Sequence, residues 1–380
     1  MKKNLVVMQV LPKLESGGVE RGTIEIATAL KKENIPNIVV SGGGKMVQEL
    51  QYLNIPHITL PVHTKNPFKM WLNSFKLEKI IKQYGITLVH VRSRAPAFSV
   101  KWACARAKVP FLTTYHGVYN ATNKLKWWYN KIMTTGQKII AVSDFVKKHI
   151  LNAYDISPEK IHLIHRGVDC NRLNPETVHP ERIIQLATKY QISTEKPIIL
   201  LHGRITKWKG QHLLLEALSK MKNKNVTAVL AGSDQGKTEY TNSLLHQISN
   251  LSSQTSVHLI TEKTDVPALY LLCDIFVSPS IEPEAFGRVT VEAQSMGRIV
   301  IASAHGGACE TVEDGVTGFL VEPNNAAALA EKLDFALEMS LNARKKMEYT
   351  AMTSSRKNFS IDIMCNKTID VYKEILHGKK

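Results

Sequence analysis

One pattern, written twice, constrains this chain more than any other. Short aliphatic runs alternate with longer stretches of helical periodicity. In the first half the runs fall at residues 5–11, 37–41, 58–60, 88–91, 111–114, 138–141 and 161–164, with helical stretches between them such as 19–32 and 68–84. In the second half they fall at 198–201, 226–231, 257–260, 275–279 and 299–302, with helical stretches at 211–219, 239–250, 266–273 and 289–296. Such runs suit strands covered on both faces, and helical stretches between them supply the crossovers that parallel strands require. The predicted fold is therefore α/β, with two doubly wound parallel sheets. Residues 166–180, RGVDCNRLNPETVHP, read as the linker. Domains are expected at 1–175 and 176–355, followed by a helix at 356–380 whose Ile361, Met364, Thr368, Tyr372 and Ile375 recur at helical spacing. That helix is expected to cross back to the first domain. A chain of 380 residues is too long for one core, which agrees.

Several classes are excluded by what is missing. The opening MKKNLVVMQVLPKLESGG imitates a signal peptide, but Gln9 and Pro12 break its apolar run and no small-residue cleavage site follows. No apolar run reaches the roughly 18 residues of a membrane span. The five cysteines, at 104, 170, 273, 309 and 365, never stand in a CxxC spacing, so neither a disulfide framework nor a zinc site is indicated and a cytoplasmic setting fits. Charge is lopsided. Residues 1–175 hold 26 Lys and Arg against 10 Asp and Glu, whereas 176–380 hold 23 of each. The whole excess of +16 lies in the first half and points to an acidic partner: nucleic acid, anionic lipid or a phosphorylated substrate.

The sharpest local signal is SIEPEAFGRVTVEAQSMG, residues 280–297. Seven residues separate Glu284 from Glu292 across a strand–loop–helix, with Phe286 and Gly287 in the turn. A helix opening there offers unpaired backbone N–H groups and a positive dipole end to a phosphate or hydroxyl, and the two carboxylates accept hydrogen bonds from vicinal hydroxyls.

This segment, with IVIASAHG at 299–306 after it, resembles the signature of retaining glycosyltransferase family 4. The resemblance extends through Ser16-Gly17-Gly18-Val19-Glu20, Tyr115-His116-Gly117, Ala141-Val142-Ser143, Arg166-Gly167-Val168-Asp169, Gly203-Arg204 with Lys209-Gly210, and Asp314-Gly315 with Gly318-Phe319. It implies the GT-B fold, two Rossmann-like domains facing across a cleft, acceptor domain first and nucleotide-sugar domain second. It also implies roles. Glu284 would hold the donor sugar with the backbone of Ala285, Phe286 and Gly287, and Glu292 would grip the ribose. Arg204 and Lys209, beside Gly203, would neutralise the diphosphate as negative charge gathers on it. Gly17 and Gly18 would allow close approach of the first-domain backbone, and His116 would lie near the transferred sugar. Two departures stand out: Arg288, before Val289, replaces a usual aliphatic and offers a third cation, and Arg166 replaces a common asparagine. The implied co-substrate is a UDP- or GDP-sugar, with no permanent cofactor and no metal. The implied acceptor is a glycan or lipid-linked glycan, with lipopolysaccharide core assembly as the pathway.

Rival motifs remain. Residues 231–238, AGSDQGKT, satisfy a relaxed Walker A pattern, which keeps a P-loop nucleotide hydrolase as an alternative, although no aliphatic run ending in Asp supplies a magnesium partner. SGGGK at 41–45 lacks a following GxGxxG. Glu282, Glu284 and Glu292 could pair as in a glycosidase, which leaves the cations unexplained. The basic half has two dense places: Arg92, Arg94, Lys101, Arg106 and Lys108 around Trp102, and Lys124, Lys126, Trp127, Trp128 and Lys131, where Leu125, Trp128 and Ile132 share one helical face. An anionic membrane surface is the expected partner, peripheral on the inner face of the cytoplasmic membrane. Basic nucleic-acid binding is the other alternative, but no such motif accompanies the charge, so no nucleic acid is expected.

Overall fold

The structure, a computed structural model, describes residues 4–15, 17–236 and 238–378. It divides into two units, one of residues 1–167 with 361–380, the other of residues 168–360.

The first unit is built on seven strands: β1 (Val7–Val10), β2 (Asn37–Ser41), β3 (His57–Thr59), β4 (Leu88–Val91), β5 (Phe111–Tyr115), β6 (Ile139–Ala141) and β7 (Ile161–Leu163). Their order is β3-β2-β1-β4-β5-β6-β7 and every pairing is parallel. Val7 lies opposite both Asn37 and Leu88, so β1 is covered at both edges. Gln9, in the middle of that strand, is fully buried; its Nε2 donates to the Thr23 carbonyl at 3.0 Å, while its Oε1 has no hydrogen-bond partner. Met364, Cys365, Ile369 and Tyr372 of the final helix, Ile361–His377, pack with Val7, Ile26, Leu30, Leu88, Leu112 and Ile140. This helix is part of the first unit's core.

The second unit has six strands: β8 (Ile198–His202), β9 (Thr227–Ala231), β10 (Ser256–Ile260), β11 (Ile275–Ser278), β12 (Ile299–Ser303) and β13 (Phe319–Val321). Their order is β10-β9-β8-β11-β12-β13, again all parallel. The linker-like composition after Arg166 does not end the first unit at 175. Val168, Leu173 and Val178 are buried in the second unit's core, and the Val168 N–H donates to the Phe359 carbonyl at 2.8 Å. The divisions therefore fall after 167 and after 360, because three apolar side chains within a polar, proline-rich stretch bind it to its neighbour.

In each sheet the order reverses once, between β1 and β4 and between β8 and β11. At those points successive crossovers leave in opposite directions and open a crevice at the carboxyl ends of the strands.

Candidate active site

At the second unit's reversal point, the loop after β8 meets the loop after β11. Residues Lys207–Lys209 form one 3-10 turn, and Gly210 follows in the left-handed region with φ +75°. A Cβ at Gly210 would run into the Pro279 carbonyl, so only glycine permits this approach. The Ile281 N–H donates to the Trp208 carbonyl at 2.8 Å and locks the two loops together. The consequence is a pair: Lys209 Nζ stands 2.7 Å from Glu284 Oε1, with the side chains only 11% and 14% exposed. Ser280 and Ser278 also donate to Oε1, at 2.6 and 3.4 Å. Burial pushes the Glu284 carboxyl up, but the charge of Lys209 and the donated hydrogen bonds outweigh it and hold the group below the usual carboxylate value. Glu284 is thus a carboxylate in a polar cradle.

A second loop fixes its backbone. The Gly307 N–H donates to the Glu284 carbonyl at 2.8 Å. Gly306 has φ +61°, and a Cβ on it would lie 2.5 Å from that carbonyl oxygen. His305 Nε2 is 2.8 Å from the Ser280 carbonyl, so the ring carries its proton on Nε2. A small cavity lined by Ser278, Ser280, Glu284, Gly287, Thr290, Ser303 and His305 results.

Gly287, at φ 82°, opens the helix Arg288–Ser295, and Thr290 caps back onto its carbonyl at 2.5 Å. One turn in, Glu292 Oε2 accepts from the buried Tyr270 hydroxyl at 3.0 Å, while Arg288 Nη2 lies 3.6 Å from Oε1. With its hydrogen given to the carboxylate, the Tyr270 oxygen accepts from His202 Nδ1 at 3.2 Å. Burial keeps the His202 ring neutral by lowering its pKa, so its Nε2 is left as an acceptor. Glu292 is therefore a held carboxylate rather than a bare surface acid. Arg204 is exposed, its guanidinium 5.6 Å above the Trp208 ring, and the Lys209 ammonium lies 4.6 Å from the same ring. Phe286 is buried against Phe359 at 5.6 Å, and Ala285 and Val289 are half-buried. Gly203 lies under the loop that follows β9: a Cβ on Gly232 would collide with the Gly203 carbonyl. Residues 231–236 thus serve as a packing loop beside β8. Lys237, which the Walker reading needs, lies outside the described residues. Gly203, Arg204, Lys209, Glu284, Ala285, Phe286, Gly287, Arg288, Val289 and Glu292 all gather on the two loops and one helix of this reversal point.

In the first unit, Ser16 lies outside the described residues. Gly17, with φ +142°, precedes the helix Gly18–Lys32, and a side chain on Gly18 would meet open space. Arg166 is 6% exposed and donates to the Gly18 carbonyl; its guanidinium occupies the place a Cβ on Gly22 would take. It pins the first turn of that helix. His116 follows β5, and its Nε2 is buried with no hydrogen-bond partner. Burial, then the charges of Arg166 and Arg92, drive its pKa well below the ordinary histidine value. It is a neutral imidazole with an uncommitted nitrogen.

Two of the residues expected at an anionic surface turn inward. Arg92 is 3% exposed, with Nη1 3.4 Å from His90 Nδ1. Arg94 donates to Asn130 at 2.6 Å and covers the Tyr119 ring at 4.1 Å. The helix Lys124–Lys131 does present Lys124, Lys126 and Lys131 to solvent, with Leu125 and Trp128 exposed. Ile132 is buried and leaves that face, and Trp127 gives its indole N–H to the Ala153 carbonyl at 2.9 Å. Among the described residues no metal-binding group of acids, histidines or cysteines occurs, and no helix is long and apolar enough to cross a membrane.

Sequence reasoning missed Ser278, Ser280, His305, Tyr270 and His202. Ser280 and His305 stand inside quoted motifs and Ser278 just before one, and a register count from β11 and β12 would have found them. Tyr270 carries no such signal, because it reaches Glu292 from a different helix, Val266–Leu272.

Two doubly wound units with a cation-and-carboxylate site at the second reversal point define a glycosyltransferase of the GT-B fold. The model described as glycosyl transferases group 1 matches residues 183–353, and that of glycosyltransferase family 4 matches 16–172. A solved glycosyltransferase from Rickettsia africae ESF-5 is 42% identical, with a TM-score of 0.92 over 99% of this chain and all of its own. Anabaena HepE, solved with UDP-glucose, is 22% identical with a TM-score of 0.84 over 98% of this chain and all of its own. Spore coat protein SA of Bacillus subtilis strain 168 is 25% identical over 303 residues, 77% of this chain and 80% of that protein. The chain belongs to glycosyltransferase family 4.

Proposed function

We propose that this enzyme transfers a sugar, with retention at the anomeric carbon, from a UDP- or GDP-sugar to a glycan or lipid-linked acceptor of the cell envelope, lipopolysaccharide included. The carrying observation is the buried Glu284–Lys209 pair, which keeps a carboxylate charged where donor-sugar hydroxyls would hydrogen-bond to it. Arg204, exposed beside it, and Lys209 meet the diphosphate as the bond from C1 to the phosphate oxygen breaks. The acceptor oxygen bonds to C1 on the same face, and its proton passes to the departing phosphate oxygen. Fixed cations lower that barrier by several kcal/mol because they need no reorganisation. Glu292, held by Tyr270, takes the ribose hydroxyls. His116, neutral and with a free nitrogen, hydrogen-bonds the transferred sugar. The UDP-glucose held by HepE supports this donor class.

The acceptor reading rests on charge. The first unit holds 29 Lys and Arg against 12 Asp and Glu, +17, while the second holds 20 against 21. A lipid-linked acceptor on the anionic inner face of the cytoplasmic membrane fits that imbalance, with Lys124, Lys126 and Lys131 as contacts. The test is a panel of nucleotide sugars, read by thermal stabilisation, slow donor hydrolysis and the anomer of the product. One UDP- or GDP-sugar should stabilise the protein and be hydrolysed. A response only to ATP with magnesium, or to oligonucleotides, would replace this reading by one of its rivals.

A further inference from the structure

The helix Pro67–Gln83 is apolar on two opposite faces. Met70, Leu77, Ile80 and Ile81 face inward and are buried, and the Met70 carbonyl accepts from Ser99 of the adjoining helix Arg94–Ala107 at 2.9 Å. On the other side Phe68, Trp71, Leu72 and Phe75 are 65%, 48%, 40% and 43% exposed. Their spacing of i, i+3, i+4 and i+7 makes one continuous stripe. The stripe is already assembled: the Trp71 ring lies 4.7 Å from Phe75 and 6.0 Å from Phe68. Lys79 continues it one turn on, and Lys69 and Lys76 flank it, all exposed. The helix has one acid, Glu78, which Lys82 and Arg106 already neutralise at 2.7 and 2.5 Å. Among the described residues no acid pairs with Lys69, Lys76 or Lys79, and apart from Phe75, whose ring lies 4.2 Å from the Arg106 guanidinium, the ridge points away from the core on the opposite face.

We propose that this ridge seats the enzyme in the headgroup layer of a bilayer containing anionic lipid. Aromatic rings are favoured at that depth, and the lysine stems extend along the ridge so that the ammonium groups reach lipid phosphates. A second copy of the chain is the poorer occupant. Face-to-face pairing would set Lys69, Lys76 and Lys79 against their own counterparts on units of +17, whereas an anionic surface supplies the missing countercharge. The contact refines the peripheral-membrane reading above, on which it rests: the helix Lys124–Lys131 is then an accessory, and the aromatic ridge the main anchor.

The test is sedimentation of the full chain with vesicles of phosphatidylcholine and phosphatidylglycerol in equal parts. The variants are Trp71→Ser with Leu72→Ser, Lys69→Glu with Lys76→Glu, and Lys124→Glu with Lys126→Glu. Far-UV dichroism and thermal unfolding serve as the folding control for the first unit, and UDP affinity by calorimetry checks that the donor site in the other unit is unaltered. Both ridge variants should lose partitioning about tenfold or more with UDP binding intact, and the Lys124 variant should lose less. Tryptophan emission of the wild type should shift blue on anionic vesicles alone, and Trp71→Ser with Leu72→Ser should remove most of that shift. If wild-type chain binds and both ridge variants bind equally well, the ridge is not the anchor, though the membrane reading survives. If wild-type chain binds no vesicle, both fail. A wild-type dimer in sedimentation velocity that Trp71→Ser with Leu72→Ser dissolves would assign the ridge to a second copy instead. Should the serine variant lose its fold or UDP binding, the Lys69→Glu, Lys76→Glu pair decides by the same criterion.

Discussion

Replacing Lys209 by methionine tests the core of the site in a way that separates charge from shape. Lys209 and Glu284 are 2.7 Å apart with side chains 11% and 14% exposed, so solvent screens them little. Methionine keeps most of the stem's volume but leaves the carboxylate with only the Ser280 and Ser278 hydroxyls. Removing one partner of a buried pair costs about 3–5 kcal/mol. The remaining hydroxyls place this case at the low end, about 3 kcal/mol, which in a unit of this size lowers Tm by roughly 6–12 °C. The loss should depend on pH with a definite sign. In the wild type the carboxyl is held below its ordinary value, so its stabilisation is present above the unfolded carboxylate pKa and is lost as pH falls through the lower folded value. Without Lys209 burial dominates and the folded pKa moves above the unfolded one. The variant then loses stability as pH rises through that window, and its deficit is largest at neutral and alkaline pH. Adding Glu284→Gln should restore part of the loss, with a coupling of about 2 kcal/mol in the double-mutant cycle. Thermal and urea unfolding over a pH series measure all three quantities. A Lys209→Met Tm within about one degree of wild type at neutral pH, or a deficit that does not move with pH, would refute the claim that this pair sets the charge of Glu284.

Glu284→Gln should lower transfer by about two orders of magnitude or more with unchanged far-UV dichroism, and near-normal turnover would remove Glu284 from the donor site. Arg204→Ala should weaken UDP or GDP binding about tenfold at unaltered Tm, because that guanidinium is exposed and lies over Trp208; unchanged calorimetric affinity would end its role as a diphosphate cation. His116→Ala should reduce kcat, yet the wild-type kcat profile should show no histidine titration between about pH 6 and 8, since burial holds that ring neutral. Stability should fall as pH drops below the unfolded histidine value of about 6.5, because His90, His116 and His202 all have depressed folded values; His202→Phe should flatten that slope, as a Tm series would register.

The parallel sheets were legible because their inner strands are buried on both faces and spell aliphatic runs, only edge strands such as β3 and β10 being half-buried. β13 was not: Phe319–Val321 follows directly on the glycine turn of residues 314–318, and its strand character comes from its register with Ile301–Ser303. The domain division was misplaced for a similar reason. Proline and asparagine mark an irregular path, but Leu173 and Val178 bind that path to the second unit, and composition does not disclose which core a loop residue joins. The helix Pro67–Gln83 was read as a helix, but its two apolar stripes cannot be told apart until one of them is seen to be covered.

The site divides along the same line. Motif positions were readable because glycines, acids and cations were set there by chemistry that local chain geometry dictates. Gly210 must be glycine to pass the Pro279 carbonyl, and Gly306 must be glycine to reach that of Glu284. What lay hidden is the commitment of each carboxylate before any ligand arrives. Spacing presents Glu284 and Glu292 as equivalents, seven residues apart. Tertiary contacts separate them: one is tied to an ammonium and two hydroxyls, the other to the Arg288 guanidinium and to a buried phenol that a neutral imidazole supports in turn. On the proposed roles, a donor approaching Glu284 meets a carboxylate already paired with a buried ammonium, so sugar and phosphate recognition are linked within one pair. On the same proposal, a ribose approaching Glu292 would meet a carboxylate whose second oxygen is fixed by Tyr270. Tyr270→Phe should therefore raise the KM for the donor and leave kcat near wild type, whereas Lys209→Met should lower kcat. Steady-state kinetics on both variants discriminates the two, and an equal fall in kcat for each would mean that the carboxylates do not divide the work in this way.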